Sequence, residues 1–297
     1  MNWNQIATQI TEITGIQFQV KEHRSITGGC INQGVMITDG QRRFFIKLNQ
    51  RKYLDMFVSE AAGLQQLIET QTISLPHPIC WGIAGERSYL VLEWIDFGSG
   101  EPTVWREMGR KLARLHQWVP KLMDGKSPHQ PFGWHRNNTI GLTPQLNPWT
   151  RDWSNFWIHS RIDYQLQMAQ QRGGYFPKAE QLLTLIPTLL RGHYPRPSLV
   201  HGDLWTGNWG IRCTGEPVIF DPAPYWGDRE VDLAMTELFG RFPEPFYQGY
   251  DELFPMEKGY ESRKVLYNLY HVLNHFNLFG GSYESQVNTM ISQLIGC

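Results

Sequence analysis

What this 297-residue chain lacks narrows its function before any motif is read. Its four cysteines, Cys30, Cys80, Cys213 and Cys297, lie far apart with no CxxC pair, which argues against a thiolate zinc site or a disulfide framework and for a reducing cytoplasm. Neither charge is in surplus. Lys and Arg number 27 against 28 Asp and Glu, and the formal net charge of −1 leaves no electrostatic footprint for nucleic acid or an anionic membrane. No run of 18 apolar residues is present, so no membrane-spanning helix is expected. Met1-Asn2-Trp3-Asn4-Gln5 has neither the basic nor the apolar stretch of a signal peptide, and a cytoplasmic location is the expectation. Internal repeats, low-complexity stretches and paired histidines of the HExxH kind are missing as well. What remains, 41% hydrophobic and 19% charged, is the composition of an ordinary globular protein, and most of its twelve tryptophans are expected in the core.

Periodicity then gives the architecture. Trp3, Ile6, Ala7, Ile10 and Ile13 fall at helical spacing and predict a short amphipathic helix. Strand-like runs follow around Val20–Ile26, Val35–Thr38 and Arg43–Leu48, with Asp39-Gly40 as a hairpin turn because both positions tolerate φ > 0. Tyr53 to Glu69 reads as an amphipathic helix ended by Pro76 and Pro78, and two strands, Ile79–Ala84 and Tyr89–Trp94, meet at Gly85-Glu86. Past Gly98-Ser99-Gly100 the pattern turns helical, with stripes at Val104/Met108/Leu112/Leu115, at 182–190 and at 265–276. The fold class is α+β: a small antiparallel sheet lobe with one helix over residues 1–95, then a larger, mainly helical lobe over 96–297. The Pro- and Trp-rich stretch from Ser127 to Trp153 fits neither period and reads as an irregular insertion. Its aromatic group, Trp134, Trp149, Trp153, Phe156 and Trp157, is a candidate wall for a sugar or ordinary packing.

The chemistry concentrates in Leu199-Val200-His201-Gly202-Asp203-Leu204-Trp205-Thr206-Gly207-Asn208. An apolar run delivers the chain to a loop with Asp203 and, five residues on, Asn208, the spacing of a phosphoryl-transfer loop whose Asp accepts a hydroxyl proton and whose Asn binds Mg²⁺. Residues 209–220 read as a hairpin turning at Cys213-Thr214-Gly215-Glu216, and they carry the chain to Asp221, a second oxygen ligand for magnesium. His-Gly-Asp alone is an ordinary polar turn; Asn208 and Asp221 at these distances decide the matter. Upstream, Lys47 is a cation inside the apolar strand Phe44-Phe45-Ile46-Lys47-Leu48, costly to bury unless paired, and Glu60 on the following helix is the expected partner. Gly28 and Gly29, in Thr27–Gly34, lie where a backbone turn would approach ATP phosphates. The peptide groups of Glu93, Trp94 and Ile95 stand at the lobe boundary, where an adenine would meet them. Cys30, inside the same turn, is a candidate redox-sensitive thiol.

These residues together resemble the fructosamine kinase (ketosamine-3-kinase) family, relatives of aminoglycoside and choline kinases within the protein-kinase-like fold. The resemblance rests on His201-Gly-Asp-Leu-Trp-Thr-Gly-Asn208, Asp221-Pro-Ala-Pro-Tyr-Trp-Gly-Asp228 and Glu230-Val-Asp-Leu-Ala234, with Phe132-Gly-Trp134, Asn138-Thr-Ile-Gly141 and Asn147-Pro-Trp149 beside them. It implies phosphorylation of the 3-hydroxyl of a ketosamine, free or carried on a glycated protein lysine, after which the adduct becomes unstable and frees the amine. By the same resemblance Asp203 is the base, Asn208 and Asp221 hold Mg²⁺, and Lys47 with Glu60 positions ATP. Trp205 and Asp228 stand as substrate contacts, although Asp228 and Asp232 are also expected to brace the loop. Asp221-Pro-Ala replaces Asp-Phe-Gly, and no Ala-Pro-Glu follows, so an extended activation segment is not expected. Two other readings stay open: a kinase for another small alcohol or amino sugar of the aminoglycoside or choline type, and a non-catalytic nucleotide-binding pseudokinase.

Overall fold

The computed structural model describes residues 1–28, 31–120 and 131–296. The chain divides into two compact units, one of Met1–Val104 with Gly210–Asp221 and one of Trp105–Trp209 with Pro222–Cys297.

The first unit opens with helix α1 (Trp3–Thr14), followed by strands β1 (Glu22–Ile26), β2 (Gln33–Thr38) and β3 (Arg43–Gln50), helix α2 (Leu54–Glu69), and strands β4 (Pro78–Ala84) and β5 (Arg87–Glu93). All five strands pair antiparallel in the order β1-β2-β3-β5-β4. Alternation along the strands sends Val35, Ile37, Phe44, Ile46, Leu48 and Val91 into one cluster with Ile6 and Ile10 of α1. The side chain between two such positions must point the other way, so Lys47 faces the side on which α2 packs over β4 and β5. The β2–β3 connection is a four-residue loop rather than a two-residue turn: Thr38 pairs with Arg43, and the Asp39 carboxylate accepts from the amides of Gln41 and Arg42. Only Gly40 there has positive φ.

The second unit begins along α3 (Thr103–Gln117), whose Met108, Leu112 and Leu115 are fully buried. Strands β6 (Asn138–Ile140) and β7 (Thr143–Gln145) form a small hairpin in an otherwise irregular stretch. Helices α4 (Trp153–Trp157) and α5 (Tyr164–Gln171) are joined through a π-helical turn, Ile158–Asp163, and α6 (Ala179–Leu189) follows. Strand β8 (Ser198–Val200) leads into the Asp203 loop. Strands β9 (Trp209–Ile211) and β10 (Pro217–Ile219) make the expected hairpin, with Gly215 in the left-handed region at φ 86°. From Gly210 to Asp221 this hairpin belongs to the first unit, because its hydrogen bonds run to Ser74, Asp96 and Gly98, distant in sequence and invisible to a local period. Strand β11 (Tyr225–Gly227) pairs back onto β8. Helices α7 (Glu230–Leu238), α8 (Glu244–Asp251), α9 (Tyr260–Phe279) and α10 (Tyr283–Ile295) complete the unit, with α9 packed by α5, α7 and α10. No helix among the described residues is long and apolar enough to cross a membrane.

Candidate active site

In the first unit the structure brings Lys47, Glu60 and Asp221 together. Lys47 Nζ donates to Glu60 Oε1 at 2.5 Å and to Asp221 Oδ1 at 2.6 Å. Burial alone would drive the Lys47 pKa down; Asp221 and Glu60 outweigh it and hold the ammonium above its ordinary value, so it stays charged. Burial likewise pushes Glu60 up, against the pull of Lys47. Asp221 is held at φ 58°, in the left-handed region that non-glycine residues rarely adopt. Its side chain is 47% exposed while that of Glu60 is 11%, so the lysine anchors on Glu60 inside and presents Asp221 outward.

Gly28 has φ 138° with open space around its Cα, as a phosphate-approaching turn requires. Gly29 and Cys30 lie outside the described residues, and with them the redox reading of Cys30. At the end of β5, the Glu93 amide donates to His77 O at 2.8 Å, so the carbonyl is the only peptide atom Glu93 retains for a base. Its carboxylate bonds Arg212 Nη1 at 2.8 Å. Burial would raise the Glu93 pKa, but Arg212 and the His77 amide hold it below the usual range. This latch ties β5 to the β9–β10 hairpin, which sequence reading missed because Arg212 lies 119 residues away. Trp94, half-buried, donates from its indole to Asp96, and Ile95 is buried.

In the second unit the loop after β8 is held from beneath. Asp232, wholly buried on α7, accepts the amides of His201 at 2.7 Å and Gly202 at 2.8 Å, and His116 Nε2 lies 3.1 Å away. Gly202 sits at φ 83°, and a Cβ there would collide with the Ala223 carbonyl oxygen, so only glycine fits. The Asp203 amide donates to His201 Nδ1 at 3.2 Å, so the His201 ring helps to order the loop. Asn208 Nδ2 donates to Asp203 O at 2.8 Å and Oδ2 at 3.1 Å, which fixes the amide with its NH₂ on Asp203 and leaves Oδ1 as a neutral hard oxygen, the donor type magnesium takes. Sequence reading missed His271, on α9, whose Nδ1 is 4.0 Å from Asp203 Oδ1. Two imidazoles one turn apart, His271 and His275, inside the apolar stripe of residues 265–276 were the available signal. Burial pushes the His271 pKa down to about 3, so the ring is neutral.

Two expectations need correction. Asp228 is not open to a substrate: it is 1% exposed and bonded to His193 Nε2 at 2.6 Å, the Tyr267 hydroxyl at 2.6 Å and the Glu230 amide at 3.0 Å. With Glu230 clasped by Arg263 at 2.6 and 2.7 Å, the cluster His193, Asp228 and Glu230 is spent on internal pairing rather than on a metal. The sugar wall dissolves too, since Trp134, Trp153, Phe156 and Trp157 are all buried in the packing of the second unit and only Trp149 is exposed. Trp205, on the loop itself, stays half-buried with its ring 6.0 Å from Phe239.

A sheet-bearing unit with a clasped strand lysine, and a helical unit with an Asp–Asn loop, define the class: a protein-kinase-like fold of the kind small-molecule kinases use. A choline kinase structure from Streptococcus pneumoniae matches at TM-score 0.63 over 99% of this chain and 98% of its own, with 13% identity, a likeness of fold alone. The chain belongs to the fructosamine kinase family, whose model matches residues 2–296. It is similar to a probable ketoamine kinase of Synechocystis sp., 53% identical over 293 residues (99% of this chain, 97% of the relative). The chloroplastic protein-ribulosamine 3-kinase of Arabidopsis thaliana is 40% identical over 293 residues, 97% of this chain and 84% of the relative. A crystal structure from Haemophilus somnus 129PT bearing the fructosamine-3-kinase name superposes at TM-score 0.91 with 32% identity, covering 98% of this chain and 97% of its own.

Proposed function

We propose that the protein is an ATP- and Mg²⁺-dependent phosphotransferase acting on the 3-hydroxyl of ketosamines, small adducts or glycated protein lysines, in the cytoplasm. The observation that carries this reading is the clasp of Lys47 between Glu60 and Asp221. Three buried or half-buried charges add less to stability than an apolar trio of the same volume would, so their presence is best accounted for by a bound polyanion. In this reading Lys47, oriented by Glu60, donates to the α- and β-phosphates, Gly28 and Gly29 lend backbone to the phosphates, and the Glu93 carbonyl with the peptide groups of Trp94 and Ile95 meets adenine. Asn208 and Asp221 would each offer an oxygen to Mg²⁺, which would supply charge neutralisation at the phosphate oxygens. Asp203 takes the proton of the 3-hydroxyl as its oxygen bonds the γ-phosphorus and the bond from that phosphorus to the bridging oxygen of ADP breaks. Asn208, bonded to both the backbone and carboxylate of Asp203, keeps that carboxylate aimed. Trp205 offers the sugar a ring face beside the base. The test is ATP consumption on a panel of synthetic ribulosamines and fructosamines beside choline and aminoglycosides. Turnover of ketosamines is expected; turnover of choline or an aminoglycoside and of no ketosamine overturns the proposal.

A further inference from the structure

Building on the ketosamine reading, we propose that the second unit carries a separate subsite for the amine part of the substrate, a ramp of aromatic rings along α9 leading from Asp203 to the surface. His271, His275 and Phe279 recur every fourth residue and so share one face of α9, over about 12 Å at 1.5 Å per residue. The inner end is His271, its Nδ1 buried, 4.0 Å from Asp203 Oδ1 and without a hydrogen-bond partner among the described residues. One turn on, the His275 ring is half-buried, 4.5 Å from Phe239, 5.7 Å from Phe279 and 5.2 Å from Tyr283. The outer end is Phe279, 49% exposed.

Two contacts tie this surface to the catalytic loop. Thr206 Oγ1 donates to Phe239 O at 2.9 Å, and the Trp205 ring meets that of Phe239 at 6.0 Å. The rings are thus tied, through Phe239, to the loop that carries Asp203. In a ketosamine only a few bonds separate the 3-hydroxyl oxygen from the nitrogen, so a hydroxyl seated at Asp203 sends the nitrogen about one helical turn outward, to His275 and Phe239. A ketosamine nitrogen is a protonated secondary amine, which aromatic faces attract. His275 suits it: Nδ1 is fixed on His271 O at 2.8 Å, which sets the ring's orientation beside Phe239, and burial pushes its pKa down. Beyond the nitrogen, the substituent runs over Phe279 and Tyr283 to solvent, where an apolar or planar group gains area. The occupant is therefore the protonated amine with an apolar substituent.

The experiment compares kcat/KM for one ketosugar carried on methylamine and on benzylamine. The unaltered enzyme is expected to favour the benzylamine adduct about tenfold, the scale of one or two ring contacts. Phe279→Ala and Tyr283→Ala should each cut that preference several-fold, whereas Tyr194→Ala, an exposed tyrosine of the same unit, should preserve it. A preference retained in both ramp variants, or absent from an unaltered enzyme that turns over the methylamine adduct, overturns the subsite alone. No turnover of either adduct removes the ketosamine reading and the subsite with it.

Discussion

Replacing Asp232 by alanine should loosen the loop that carries Asp203 while leaving Asp203 itself in place. The Asp232 carboxylate is wholly buried and accepts two backbone amides, from His201 and Gly202. Alanine strands both donors away from water at about 2 kcal/mol each, about 4 kcal/mol together, before the loss to His116 is counted. That is about a 10³-fold fall in the folding constant, and about 10 °C in melting temperature for a chain near this size. Asparagine keeps one acceptor oxygen but turns an NH₂ toward a donor, so it should cost about half as much. Because the amides it holds flank Asp203, kcat should fall about 100-fold in the alanine variant. Burial pushes the Asp232 pKa up, but His116, His201 and the Gly202 amide outweigh it and hold the carboxyl below its usual 3.8. A carboxyl whose folded pKa is depressed stabilises fully above that usual value and loses the contribution as pH falls through the lower one. The gap between the unaltered protein and Asp232→Asn should therefore close on acidification below about pH 4. Thermal unfolding at pH 7.5 and across the acid range, with steady-state kinetics on a ketosamine, reads all three. An alanine variant that melts within about 2 °C of the parent refutes the reasoning.

The other predictions concern the site directly. Asp203→Asn should lower kcat about 10²–10⁴-fold while nucleotide affinity, read by calorimetry, changes little. Glu60→Gln leaves Lys47 a neutral amide oxygen in place of its buried carboxylate partner and should raise KM for ATP about tenfold, more than it lowers kcat. Gly202→Ala, whose Cβ meets the fixed Ala223 carbonyl, should cost at least about 100-fold in kcat, whereas Gly207→Ala meets only the movable Trp205 ring and should cost far less. Chelation by EDTA should stop turnover and added Mg²⁺ should restore it; activity undiminished by the chelator would remove Asn208 and Asp221 as ligands.

How far the sequence could be read follows from which forces are local. Lys47 and Glu60 were legible because a lone cation in an apolar strand demands a partner, and the helix after it offers one within thirteen residues. The Asp203–Asn208 loop was legible because its chemistry fits inside ten residues. Asp228 carried two readings, substrate contact and structural brace, and the sequence alone could not choose between them because the partners that bury it, His193 and Tyr267, come from elements far along the chain. Arg161 was invisible in the same way: wholly buried, it donates to Leu146 O and Asn147 Oδ1 and stacks 4.1 Å from the Tyr225 ring. The aromatic group Trp134, Trp149, Trp153, Phe156 and Trp157 was legible as aromatic mass, but only packing assigns a ring to core or surface, and four of these five rings went to the core.

The chain passes from one unit to the other three times, after Val104, after Trp209 and after Asp221. No single cut therefore yields an autonomous piece. A fragment ending at Val104 would strand the carbonyls of Ser74 and Asp96, bonded to Ile219 and Cys213, and would take Arg212 from Glu93 and Asp221 from Lys47. Anyone wishing to handle the sheet-bearing unit by itself must splice residues 210–221 back onto it.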